Sequence, residues 1–261
     1  MPKLIFFDID GTLWDEHMQF PESTIPSLKK LQEKGHKIFL CSGRARSNIK
    51  DSRLLSIGFD GIVGACGNHI EVEGKVIYEN ILSPELTRRV IDLLRECHMP
   101  VVLEGPRYHW IEKDGFKDDP FVLSLFKALE QSAKELTEYE PDMQINKFSA
   151  DVLPDTDFDR IKAELGEEFE ILEHEGNVVE FVPKGSSKAT GIQRVCSYLG
   201  VDRKDTYAVG DSVNDLDMLG YVGHGIAMGN ASAPAKAAAE YVTTDIHEDG
   251  IMRAMEHYLL I

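Results

Sequence analysis

Asp8 and Asp10 flank a single isoleucine where an apolar run ends, and Gly11 and Thr12 follow them. In an extended segment residues i and i+2 point to the same side, so both carboxylates can converge on one ligand beyond the strand's carboxyl end. That pairing suits a nucleophile and a proton donor. Gly11 lets the backbone turn away tightly beside a bound anion. A calcium loop is excluded, because the sixth and twelfth positions counted from Asp8 are Leu13 and Gln19 instead of glycine and glutamate. Taken alone, the two aspartates also fit an ordinary solvated turn.

Gly210-Asp211-Ser212-Val213-Asn214-Asp215 follows another apolar run, which puts Asp211 and Asp215 at the same sheet edge as the first pair. Carboxylates drawn together repel unless a hard cation neutralises them. Mg²⁺, with octahedral oxygen ligation and retained waters, suits one or two carboxylates plus a phosphate oxygen. Asp215 fits equally a tether for the following helix. Ser42-Gly43 offers a hydroxyl and backbone N–H groups at a third strand end, although Ser-Gly is also a common turn. Lys188 stands at the expected start of a helix, where its charge opposes the helix dipole, and an anionic partner would explain it. A solvated surface lysine is the ordinary alternative, and Lys184 is a nearby competitor.

The elements that must position these residues alternate. Leu4–Phe7 reads as a strand buried on both faces, followed by a helix opened at Ser23 or Thr24 and closed by Gly35. Strands are expected at 37–40 and 62–63, with a helix through Ile49, Leu54, Leu55 and Ile57 between them. The rhythm returns late, with strands at 207–209, 226–228 and 241–243, a helix through Leu216 and Leu219, and another over Ala231–Ala239. This alternation predicts an α/β fold on a parallel sheet. The middle differs, with helices expected at 85–96, 121–139 and 158–165 and strands at 101–104, 148–152 and 178–182. It reads as an inserted α+β domain over 81–184, within a core of 1–80 and 185–261. Ser83-Pro84 and Pro183-Lys184-Gly185 mark the joints.

The chain has 261 residues and ordinary proportions of hydrophobic (43%) and charged (28%) residues, which fits a folded protein and not a disordered one. Acidic residues outnumber basic ones 45 to 28, so the formal charge of -17 repels nucleic acid and anionic lipid alike. Cys41, Cys66, Cys97 and Cys196 are scattered, without the pairing of a zinc ribbon or a disulfide framework, and fit a reducing cytoplasm. Only four consecutive apolar residues run into Asp8, too few for the apolar region of a signal segment, and no stretch reaches membrane-spanning length.

With these four segments in order, the sequence resembles the haloacid dehalogenase (HAD) superfamily phosphatases, and its insertion resembles that of the Cof-type subgroup with an α/β cap. The resemblance spans nearly the whole chain and rests on Asp8-Ile9-Asp10-Gly11-Thr12 and Gly210-Asp211-Ser212-Val213-Asn214-Asp215, with Ser42 and Lys188 between them. It implies a Rossmann-like core, Asp8 as nucleophile, Asp10 as general acid and then base, and Mg²⁺ held by Asp8, the Asp10 carbonyl and Asp211. It further implies that Ser42, Gly43, Lys188 and Asn214 bind the phosphoryl group, that Asp215 orients the metal shell, and that Arg44 supports them. The substrate expected is a small phosphorylated metabolite such as a sugar phosphate, nucleotide or phosphorylated cofactor. A phosphomutase or a non-catalytic phosphometabolite sensor are the alternatives. Glu104, His109, Asn177 and Glu180 are candidate leaving-group contacts from the cap, with packing as the plainer role for His109. One departure is Cys66-Gly67-Asn68-His69, where members often carry Asn-Gly-Ala.

Overall fold

Leu4–Phe7 lies fully buried inside an eight-stranded sheet in the computed structural model, which describes residues 2–116, 120–174 and 176–261. Burial on both faces is why this run carries no polar alternation. Its neighbours, Thr206–Gly210 and Lys37–Cys41, both run parallel to it. The sheet order is Tyr241–Val242, His224–Ala227, Thr206–Gly210, Leu4–Phe7, Lys37–Cys41, Gly61–Gly64, His69–Val72 and Lys75–Glu79. The first six strands are parallel, and His69–Val72 turns back antiparallel to Gly61–Gly64. Early strands lie to one side of Leu4–Phe7 and late strands to the other, so the strand order reverses there. In open α/β sheets ligands bind outside the carboxyl ends at such a reversal.

Two of the helices carry clear end signals. Thr24–Glu33 buries Leu28 and Leu31 and stops at Gly35, whose φ of 80° is the left-handed value that ends helices. Lys188–Leu199 opens on a reciprocal cap in which Ser187 Oγ accepts from the Thr190 amide and Thr190 Oγ1 accepts from the Ser187 amide. Among the described residues no helix is long and apolar enough to cross a membrane.

The chain divides into two compact units, one of residues 1–43, 51–78 and 187–261 and the other of 44–50 and 79–186. These limits differ from the sequence boundaries by a few residues at each joint. They also move 44–50 into the second unit, where Ser47 Oγ donates to Gly105 O at 2.6 Å and meets His109 Nδ1 at 2.8 Å. The second unit has its own six-stranded sheet, ordered Phe169–Glu173, Val178–Pro183, Lys147–Asp151, Val101–Glu104, His109–Ile111 and Ala133–Glu135. All neighbours are antiparallel except the last pair. Alternate residues such as Leu103, Phe148, Ala150, Val179 and Phe181 share one core with Val90, Leu94, Ile161 and Leu165 of the helices Pro84–Glu96 and Phe158–Leu165. The helix expected over 121–139 is shorter: it spans Pro120–Leu129, then Glu130 takes a φ of 48° and the chain leaves as the strand Ala133–Glu135. Val122 and Leu129 at helical spacing carry the apolar pattern, which stops there because 130–135 holds mainly polar residues free to pair with His109–Ile111.

Candidate active site

Three adjacent strand ends bring the site residues together. Phe7 stands opposite both Val209 and Leu40, so the residues just beyond these strands, Asp8, Asp211 and Ser42, emerge at one edge of the sheet. The Asp8 amide still bonds Val209 O at 3.0 Å, and the Ser42 amide bonds Val63 O at 2.8 Å. Backbone pairing thus holds both residues up to the point where their side chains are needed.

Lys188 is 1% exposed and sits at the centre. Its Nζ donates to Asp8 Oδ1 at 2.7 Å, to Asp215 Oδ1 at 2.5 Å and to Asn214 Oδ1 at 3.2 Å. Lys184, the competing lysine, is exposed. Burial disfavours the Lys188 ammonium, but Asp215 and Asp8 outweigh it and hold the group protonated well above the ordinary lysine value. The first turn of a helix is electrostatically poor for a cation, and these two carboxylates are what keeps it there.

Asp215 is fully buried and spends both oxygens locally: Oδ1 on Lys188, and Oδ2 on the Asp211 and Ser212 amides at 2.9 and 3.0 Å. It therefore shapes the Asp211 loop and anchors the lysine. Asn214 Oδ1 takes both Lys188 and Ser212 Oγ, the latter at 2.7 Å, so its amide oxygen faces the ammonium. Gly43 follows Ser42 half-buried, while Arg44 falls in the second unit.

Carboxylate oxygens of Asp8, Asp211 and Asp215 lie within 4.8 Å of one another. Burial pushes the Asp8 carboxyl well above the usual range; the Lys188 ammonium opposes this, and Asp215, Asp211 and Asp10 reinforce it. Burial and then the Asp215 charge push Asp211 up to about 6. Crowded carboxylates that a single ammonium leaves undercompensated are a hard-oxygen donor set that fits a divalent cation such as Mg²⁺. With Asp215 committed to Lys188 and the amides, Asp8 and Asp211 are the side chains suited to hold it.

Three residues carry roles that spacing does not announce. Thr12 Oγ1 donates to Asp211 Oδ1 at 2.9 Å, tying the two acidic segments together. Asn230 Nδ2 donates to Gly11 O at 2.8 Å and its Oδ1 accepts the Ile246 amide at 3.1 Å, clamping the first turn from a distant loop. Trp14 Nε1 donates to Asp10 Oδ1 at 2.9 Å. Thr12 lies inside the motif and could have been read from it. Asn230 and Trp14 reach the site through tertiary folding alone. In the loop that departs from the family pattern, Ala65, Cys66 and Gly67 all have positive φ, and Asn68 Nδ2 turns back onto Ala65 O at 2.7 Å.

The four cap candidates divide. Asn177 is exposed, whereas Glu104, His109 and Glu180 are buried within the second unit around Lys147, which donates to both glutamates.

The sequence matches the haloacid dehalogenase-like hydrolases over residues 5–255. It is 35% identical to YkrA of Bacillus subtilis (strain 168), a protein assigned to the phosphatases by name, over 99% of this chain and 98% of that one. It is 25% identical to YitU of the same organism, a 5-amino-6-(5-phospho-D-ribitylamino)uracil phosphatase, over 98% and 97% of the two chains. Among solved structures it resembles the HAD subclass IIB sugar phosphatase BT4131, with a TM-score of 0.79, 27% identity and coverage of 99% and 100%. A parallel sheet ending in these carboxylates, and a match over nearly its whole length, establish that the chain belongs to the haloacid dehalogenase-like hydrolases and is an enzyme of their phosphatase kind.

Proposed function

We propose that this enzyme hydrolyses small phosphorylated metabolites through an aspartyl-phosphate on Asp8 and uses Mg²⁺. The observation that carries the reading is the buried Lys188 ammonium held between Asp8 and Asp215, beside Asp211. A nucleophilic carboxylate and a phosphate dianion repel each other, so a site for their reaction needs fixed positive charge at the point of attack. Lys188 supplies one such charge. Asp8, Asp211 and the Asp10 carbonyl would hold Mg²⁺, which would add more positive charge against the phosphoryl oxygens.

In the first half-reaction an Asp8 oxygen attacks phosphorus, the bond from phosphorus to the ester oxygen breaks, and Asp10 gives its proton to the departing alkoxide. In the second, Asp10 takes a proton from water as that water attacks phosphorus, and the Asp8 carboxylate leaves with its electron pair. Ser42, the backbone at Gly43 and Lys188 would bind the phosphoryl oxygens. Asn214 and Asp215 would hold the lysine in place. The two compact units would be the catalytic core and the cap.

Both substrate names among the relatives describe a phosphate on a polyhydroxylated carbon chain, one a phosphoribityl group and one a sugar. This supports polyol and sugar phosphates as the first substrates to test here. Four buried free cysteines support a reducing compartment.

The test is release of inorganic phosphate from a panel of phosphorylated sugars, polyols, nucleotides and cofactors, with and without Mg²⁺, in wild type and Asp8→Asn. Mg²⁺-dependent release that vanishes in the variant is the expected outcome. Equal release by Asp8→Asn, or an isomerised sugar phosphate without free phosphate, would remove hydrolysis through Asp8.

A further inference from the structure

The loop that departs from the family pattern joins two of the site residues. Ser42 has both of its backbone groups taken by the strand Gly61–Gly64 and the turn after it: its amide bonds Val63 O at 2.8 Å, and its carbonyl accepts the Cys66 amide at 3.2 Å. Ala65, Cys66 and Gly67 run at φ values of 49°, 52° and 82°. The left-handed region is unfavourable for the two residues that carry a Cβ, and such strain persists only where the surroundings enforce it. Ala65 O closes the turn by accepting the Asn68 amide at 3.1 Å and Asn68 Nδ2 at 2.7 Å.

The turn brings Gly67 against the opening of the helix Lys188–Leu199. A Cβ built on Gly67 would collide with Ser187 O and lie 3.2 Å from the Gly191 nitrogen, and one built on Gly191 would collide with Val63 Cγ1 and lie 3.1 Å from Gly67 Cα. Two glycines therefore let turn and helix meet backbone to backbone. Ser187 is the cap of that helix, and its carbonyl belongs to the peptide that leads into Lys188. One turn thus bonds Ser42 at one end and abuts the backbone that carries Lys188 at the other.

We propose that Ala65-Cys66-Gly67 is a spacer, with Gly67 as its positioning residue, that sets the separation of two phosphoryl-binding groups, Ser42 and Lys188. This rests on the reading of those two residues given above. A phosphoryl group held by both is sensitive to their separation, because its oxygens are a fixed distance apart and a shift near 1 Å at one contact spoils the geometry of the other. A phosphoryl group held by one of them follows that residue. Spacing therefore matters only while both contacts exist, which separates this role from general packing.

The experiment measures the Ki of inorganic phosphate as a competitive inhibitor, with Mg²⁺ present, against the best substrate of the panel above. The proteins are wild type, Gly67→Ala, Ser42→Ala, the two changes combined, and Gly74→Ala, each with a urea unfolding midpoint. Gly74 lies between the strands His69–Val72 and Lys75–Glu79 with a φ of 75°, and a Cβ there would meet nothing within 4 Å, so it reports left-handed strain without a collision. Gly67→Ala is expected to raise Ki by at least about tenfold and Gly74→Ala by less than about threefold. In the Ser42→Ala background the factor due to Gly67→Ala should fall below about threefold. A smaller rise in Gly67→Ala, a rise above about threefold in Gly74→Ala, or a factor above about threefold once the Ser42 hydroxyl is gone would overturn the proposal. If Ser42→Ala alone leaves Ki unchanged, the phosphoryl role of Ser42 falls, and the spacer falls with it. Should Gly67→Ala fold poorly, Gly191→Ala crowds the same contact from the helix side, at a position where alanine favours the helix, and is held to the same outcomes.

Discussion

At the scale of single residues, Asp8 is held in a form that costs stability. Burial raises its folded-state pKa well above the ordinary 3.8, with Lys188 opposing and three neighbouring carboxylates reinforcing. A carboxyl whose pKa rises on folding favours the folded state when protonated, and loses that contribution as pH climbs from the unfolded value through the folded one. At neutral pH in the absence of metal, the ionised side chain therefore costs stability. Asp8→Asn should abolish turnover and yet raise the urea midpoint in EDTA, by the equivalent of about 0.5–2 kcal/mol. Added Mg²⁺ should then stabilise wild type more than the variant, through binding to the folded state. A variant less stable than wild type in EDTA would contradict this account of the site. The four aspartates were legible in the sequence because spacing of two or four residues after an apolar run is a local pattern. Lys188 was legible as a charge opposed to its helix. Trp14 was not, since a tryptophan four residues beyond an aspartate carries no signal until the chain folds back to join them.

At the scale of elements, most of the candidate site residues lie in turns that follow strands, and the turn at Gly11 is tightly constrained. Its φ is 74°, and a Cβ built there would lie 2.4 Å from Asp211 Oδ2. Two effects coincide, backbone strain and collision with a carboxylate that would hold the metal. Gly35 separates them, because its φ is 80° but a Cβ would meet nothing within 4 Å. Gly35→Ala should cost about 1–2 kcal/mol from the left-handed backbone alone and leave kcat/KM unchanged. Gly11→Ala should cost at least as much and also lower kcat/KM by about 100-fold, the scale of a misplacement near 1 Å at a reacting centre. Kinetics and urea midpoints of both variants check this, and similar activity losses at the two sites would refute it. The parallel strands of the eight-stranded sheet were readable because each is a short apolar run ending at a turn or an acidic motif. The strands His69–Val72, Lys75–Glu79 and Ala133–Glu135 were not, because their mixed polar composition gains its extended form from pairing with neighbours. The helix continued past Leu129 in the sequence reading failed for the same reason.

At the scale of the whole molecule, the two units solve burial of charge in different ways. The first gathers carboxylates that one lysine cannot neutralise, which fits a place for catalysis. The second sets two carboxylates around one lysine, with a histidine beside the other oxygen of each. Lys147, 3% exposed, donates to Glu104 Oε1 at 2.7 Å and to Glu180, Ser149 Oγ donates to Glu104 Oε1 at 2.6 Å, and His174 Nε2 lies 3.2 Å from Glu180 Oε2. Strand register makes this possible, with Lys147 opposite Glu104 and Ser149 opposite Glu180. Burial alone would raise both glutamates, but the Lys147 ammonium reverses the sign and both fall below the ordinary 4.5, helped by His109 at Glu104 and by His174 at Glu180. A carboxylate whose pKa falls on folding adds stability above its unfolded value, and this is lost as pH drops from about 4.5 through the folded value. Removing the ammonium leaves two buried carboxylates uncompensated, so Lys147→Met should cost about 3–5 kcal/mol at neutral pH. On acidification the stranded glutamates can take up protons at higher pH than they do in wild type, and the deficit should shrink between pH 7 and the mid-acid range. The formal charge of -17 means that acid also relieves general repulsion. The difference in urea midpoint between variant and wild type, measured at each pH, therefore carries the test, because the general effect acts on both proteins. A deficit that stays constant with pH would mean that Lys147 contributes by packing its methylene chain instead of by holding two carboxylates ionised.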